Sequence, residues 1–168
     1  MKELILTAAF VIFQSDAQAQ SFGLENLPQE FSTKVLTNAA EDCVRCSAFY
    51  RITSECLKQS TFSGGSVYGI RSVQILDTAA DMLMLSDSIS LNAAGHDYDE
   101  IDLLDKSREK VFDWYQREYD LMLVEADTCT NRKILTTQYR ESCDTYSQHP
   151  EVLLGEWVRK IESEEGGD

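Results

Sequence analysis

The chain has 168 residues, with 15 Lys plus Arg against 29 Asp plus Glu for a formal charge of −14, and it is 43% hydrophobic and 10% aromatic. That hydrophobic content suffices for one domain with one buried core, which excludes global disorder despite the acidity. The acidic surplus opposes nucleic acid or an anionic membrane surface as principal partner, because like charge repels before any specific contact forms.

Met1, Lys2 and Glu3 precede an apolar run from Leu4 to Phe13, and Ala17-Gln18-Ala19 places small residues at the −3 and −1 positions of a signal-peptidase site. The run is too short to span a bilayer, so residues 1–19 are expected to be a signal peptide cleaved after Ala19. Cleavage leaves 14 basic against 27 acidic residues, a charge of −13, and directs the mature protein to the periplasm or the cell exterior. No later stretch approaches ~18 uninterrupted apolar residues, so a soluble mature chain without membrane contact is expected. No Asn is followed two positions later by Ser or Thr, which is compatible with a bacterial periplasm.

Residues 20–37, polar and mixed with Gly23 and Pro28, read as an N-terminal arm carrying at most a short helix after Pro28. Asn38 with Glu41 resembles a capping box, and Ala39, Ala40, Cys43, Cys46, Phe49, Tyr50, Ile52 and Leu57 recur at helical spacing to Lys58. Ser63-Gly64-Gly65-Ser66 breaks the pattern. A long helix follows from Val67 to Ala94, with Val73, Leu76, Ala80 and Leu83 as its apolar stripe and Gly95 as its C′ residue. Asp97 with Glu100 offers a second capping box for a helix through Ile101, Leu104, Val111, Tyr115 and Met122.

A fourth helix begins near Asp127 or Asn131 and carries Leu135, Tyr139 and Tyr146, unless residues 98–146 form one continuous helix. His149-Pro150 closes this segment and Pro150 opens a short final helix through Ile161, with Trp157 on its apolar side. Residues 162–168 read as a disordered acidic tail. The expected fold is all-α: one domain over 38–161, an up-and-down bundle of three or four long helices plus a short C-terminal one, stapled by disulfides.

Five cysteines, Cys43, Cys46, Cys56, Cys129 and Cys143, all follow the cleavage site, and an oxidising compartment favours their pairing. If Cys129 and Cys143 share a helix they stand about 40° apart around it, and Cys46 and Cys56 about 80° apart on theirs. Two antiparallel helices are then stapled twice, Cys46 to Cys143 and Cys56 to Cys129, with Cys43 left as a free thiol. The axial rises of these two pairs differ by roughly 6 Å. Using Cys43 in place of Cys46 improves the rise but turns Cys43 and Cys56 about 140° apart. Two staples must leave on facing sides, so the angular criterion decides.

The spacing Cys46-x9-Cys56 facing a second pair resembles coiled-coil-helix domains, whose two antiparallel helices are joined outer cysteine to outer and inner to inner. The resemblance covers these four residues. The chain departs from that pattern in the x13 spacing of Cys129 and Cys143, in the 72 residues separating the pairs and in its export signal, and the family's function is not carried over. Cys43-Val44-Arg45-Cys46 also has the CxxC spacing of a redox or metal pair, with Arg45 placed to lower a thiol pKa. Ser47 stands where haem attachment needs histidine, and no βαβ context surrounds the motif.

Other motifs weigh less. Met82, Met84 and Met122 are soft ligands in principle and core filler by habit. The acids from Asp97 to Asp105 lack the Gly and Glu of a calcium loop. Ser107-x-x-Lys110 has none of the partner motifs of a serine–lysine nucleophile. His96 and His149 lack a histidine four residues on. Trp114, Tyr115 and Tyr119, with Phe49 and Tyr50, are core aromatics or else an aromatic groove between helices. The functional expectation is an exported, disulfide-stabilised protein without a cofactor or catalytic set, binding a protein partner or serving structurally. The alternative is thiol redox or metal handling by Cys43 and Cys46.

Overall fold

A computed structural model describes residues 24, 27–59, 65–127 and 129–165; the expected signal peptide lies outside them. The described residues form five helices and no strand: α1 Gln29–Gln59, α2 Gly65–Ala93, α3 Glu100–Glu125, α4 Arg132–Gln148 and α5 Pro150–Glu165. None of these helices is long and apolar enough to cross a membrane.

α1 is the axis of the molecule, packed by all four other helices. It starts well before the Asn38 capping box. The carbonyl of Pro28 accepts from the Ser32 amide at 2.9 Å, so the helix begins behind the proline, and residues 29–37 are not a loose arm. Burial explains the extension: Val35 and Leu36 are fully buried and continue the stripe of Ala39, Ala40 and Cys43. Asn38 therefore lies inside a helix whose tertiary contacts outweigh a local cap signal.

α1 and α2 run antiparallel with unusually small residues between them. Thr33, Ala40, Ser47 and Ser54 recur every seven residues on α1, and Gly65, Ser72, Ala79 and Ser86 do so on α2. The seven-residue period keeps one seam in register along the pair. Ser47 Oγ donates to the Ser72 carbonyl and Ser72 Oγ to the Ser47 carbonyl, both at 2.9 Å. Ser54 Oγ bonds the Gly65 carbonyl at one end, and Ser86 Oγ bonds the Thr33 carbonyl at the other. Glycine suits that crossing, since a Cβ on Gly65 would sit 3.0 Å from the Ser54 carbonyl oxygen, a tight contact that the facing backbone would have to relax. The hydroxyls of Ser47, Ser54, Ser72 and Ser86 are thus satisfied by the facing backbone, and small side chains permit the approach that makes those bonds reachable. Of the stripe expected on α2, Ala80 and Leu83 are buried and Leu76 packs partly against the core, but Val73 does not belong to it. Val73 is 60% exposed, while Ser72, Ile75, Ala79 and Met82 face inward.

Gly95, at φ 71°, ends α2 in the left-handed region. α3 is capped by Asp99 rather than Asp97: its carboxylate accepts from the Asp102 amide at 2.9 Å, a contact worth about 1 kcal/mol. α3 and α4 are separate helices, because Asp127 and Cys129 take φ of 44° and 81° between them. α5 continues to Glu165, so residues 162–165 of the expected tail are helical.

Candidate functional site

The structure joins Cys46 to Cys143 and Cys56 to Cys129, with Cα separations of 5.2 and 5.5 Å, and leaves Cys43 unbridged. Cys129 does not share a helix with Cys143. It stands in the turn before α4, so only Cys143 is delivered by helical geometry. The two bridges fix α4 and the turn before it along the C-terminal half of α1.

Cys43 sits one helical turn before the bridged Cys46 and is fully buried. Burial, and then the charge of Asp42, pushes its thiol up to about 12. The Cys43/Cys46 pair is therefore no dithiol in this state, since one sulfur is committed to Cys143 and the other holds its proton. The described residues contain no cluster of three or more His, Cys, Asp or Glu able to hold a metal. Cys43 is expected to resist a maleimide or disulfide reagent in the native protein at pH 8 and to react once denaturant opens the core. Titration of thiols with and without denaturant checks this; rapid native labelling would contradict it.

The five aromatics suggested as a groove do not converge. Phe49 and Tyr50 are buried on α1, Phe49 against the Tyr139 ring at 6.2 Å and Tyr50 against Tyr68 at 5.9 Å. Tyr50 Oη donates to Asp144 Oδ1 at 3.0 Å, and Arg71 Nη1 reaches the same oxygen at 2.7 Å, so one carboxylate ties α1, α2 and α4 together. Tyr115 stacks between Phe112 and Tyr119, and Tyr119 Oη donates to Glu55 at 2.6 Å. Burial, and then the Glu55 carboxylate, pushes the Tyr119 phenol up to about 12. These contacts fasten α3 to α1.

Trp114 faces elsewhere. With Val44 and Leu121 it floors a cleft of about 260 Å³ between α1 and α3, rimmed by Glu41, Arg45, Arg117 and Glu118. The volume suits one or two side chains of a partner rather than a drug-sized ligand. On this rim Arg45 is held by Asp42 at 2.6 Å and reaches Glu118 and Glu41 only at 3.8 and 3.9 Å. Asp42 in turn accepts from Trp157 Nε1 at 2.8 Å, which locks α5 behind the same wall. Lys110 covers one face of Trp114 at 5.3 Å. The walls are thus ordered by ion pairs, while Leu121 and Val124 beside them are 66% and 82% exposed. The sequence offers Trp114 as a core aromatic or part of a groove between helices; it is half-buried against the core and lines this cleft, and the further signal in the sequence is the apolar Leu121-x-x-Val124 spacing flanked by acids.

The remaining motifs stay apart. Ser107 is fully buried with no hydrogen-bond partner, whereas Lys110 lies out over Trp114, so the pair is no nucleophile and base. His149 caps α4 beside Glu151, and His96 lies exposed between α2 and α3. A broader depression of about 700 Å³ at the start of α4 is lined by Thr130, Asn131, Lys133, Ile134, Thr137 and Gln138, with no acid among them. No protein-family model matches the chain, and no curated protein or solved structure matches it either, so its own residues carry the functional reading.

Proposed function

We propose that this is an exported, disulfide-stabilised helical module that binds another protein on its α1–α3 face and performs no catalysis of its own. The observation that carries this reading is the uncovered apolar pair Leu121 and Val124 beside the Trp114 cleft, on a framework pinned by two bridges. Large exposed apolar side chains next to an ordered, ion-paired rim are the anatomy of a recognition patch. The redox alternative has less support, because Cys46 is bridged and the Cys43 thiol is buried.

A photo-crosslinking residue placed at Leu121 in exporting cells should trap a discrete protein adduct that is absent when the same residue replaces exposed Val73 on α2. Identical adduct patterns at the two positions, or none at Leu121, would contradict the assignment of the face. Export is tested on the same material: the exported chain should begin at Gln20, and a product retaining Met1 would rule out cleavage.

A further inference from the structure

Along the last three turns of α3, Trp114, Arg117, Leu121 and Val124 follow one another at intervals of three, four and three residues. This is the a and d rhythm of a two-helix seam. Among the described residues no helix fills it along the C-terminal half: Arg117 is exposed, as are Leu121 and Val124. The positions bordering the seam are all acids, Asp113 and Asp120 on one side and Glu118 and Glu125 on the other. In paired helices the apolar a and d residues supply association, and the bordering e and g charges choose the partner. The cleft with Val44 lies directly beside this seam and provides the hole into which one partner side chain can insert.

Building on the protein-binding reading above, the geometry points to one class of occupant: an amphipathic helix of a partner protein, apolar at its own a and d positions and flanked by Lys or Arg. Two observations select that chemistry. Four bordering carboxylates make a cationic flank the complementary one, and Glu41 and Glu118 hold Arg45 only at 3.9 and 3.8 Å, which leaves them acceptor capacity for an incoming cation. A second copy of this chain is disfavoured, because apposing the seam with itself sets acids against acids in either orientation. Arg117, alone in the seam, asks for one polar or acidic side chain opposite and so fixes the register of the bound helix.

The test uses the full exported chain and three synthetic helices of three heptads. One carries Leu at a and d with Lys at e and g, the second carries Glu at e and g, and the third is a scramble of the first. The Lys helix should bind with a dissociation constant on the order of 10 μM that weakens as salt rises. The Glu helix and the scramble should bind at least about tenfold more weakly. Leu121→Ser with Val124→Ser should cost about tenfold in affinity for the Lys helix while leaving the melting temperature unchanged, since both side chains are mostly in water. Equal binding of ordered and scrambled Lys peptides would show charge alone at work and overturn the proposal. So would undiminished binding by the serine variant, or no binding at all. If that failure accompanies a specific adduct at Leu121, the face binds a protein of another class; if the adduct is missing too, the protein-binding reading falls with it.

Discussion

Replacing Cys46 and Cys143 together by alanine should lower the unfolding free energy by about 3.5 kcal/mol, and removing both bridges by about 8 kcal/mol, in urea titrations without reductant. The bridges are nested, so their effects follow from the loops they close. The inner bridge closes the 73-residue separation between Cys56 and Cys129. With it in place, the outer bridge closes only the ten residues from 46 to 56 and the fourteen from 129 to 143, not the full separation of 97. Chain entropy for that short composite loop is about 3.5 kcal/mol, against about 4.7 kcal/mol for a lone loop of the full length. Both cysteines must be replaced, because a lone Cys143 would face Cys43 one turn away. A loss under about 1 kcal/mol would mean that the outer bridge hardly constrains the unfolded chain.

The cysteine spacing was informative because side-chain direction around a helix is a local property. Cys46 and Cys143 leave fully buried positions on facing helices, as the angular argument requires. By both angle and rise Cys129 was placed on a helix with Cys143; it lies instead in a turn at φ 81°, where neither helical angle nor helical rise applies, so only the Cys46–Cys143 bridge follows from helix geometry. Helix faces were harder to read. Val73 and Ile75 are equally good core candidates by hydropathy, and what turns Ile75 inward is the seven-residue line of Gly65, Ser72, Ala79 and Ser86 docking on α1. That line was visible in the sequence, but small and polar residues are invisible to a search for apolar stripes.

The candidate site was legible only in part, and for a different reason. Periodicity says that Trp114, Leu121 and Val124 share a flank of α3; whether another helix of the same chain covers that flank depends on topology. α4 and α5 are held against α1 by the two bridges and by the Trp157–Asp42 bond, and among the described residues Arg117, Leu121 and Val124 on α3 are left exposed. Local pattern places the seam on α3, and only the packed chain shows it open.

The Asp144 junction is the other place where a single residue should matter greatly. Asp144→Ala is expected to cost about 2 kcal/mol, because it removes the acceptor shared by Tyr50 and Arg71 and leaves the phenol only its 3.2 Å bond to Ser147 Oγ. The Arg71 guanidinium, 5.8 Å over the Tyr50 ring, would then lack its counter-ion, with the Arg140–Asp144 contact at 3.6 Å lost as well. Tyr50→Phe should cost only about 1 kcal/mol, since the carboxylate keeps Arg71 and the ring keeps its packing. Tyr50 also carries a pH signature. Burial, and the Asp144 carboxylate beside it, push its phenol up to about 12 from an ordinary value of 10. A folded-state pKa above the unfolded one leaves stability unaffected below pH 10 and erodes it as pH rises toward 12, because the unfolded chain releases the proton first. Tyr50→Phe should therefore flatten the alkaline loss only in part, because Tyr119 and the buried Cys43 thiol, both pushed up to about 12, and the raised phenols of Tyr115, Tyr139 and Tyr146 contribute as well. An unchanged alkaline slope in the Tyr50→Phe protein, measured by urea midpoints between neutral and alkaline pH, would place the shift elsewhere. A cost below about 1 kcal/mol for Asp144→Ala would show that the bridges alone orient α4.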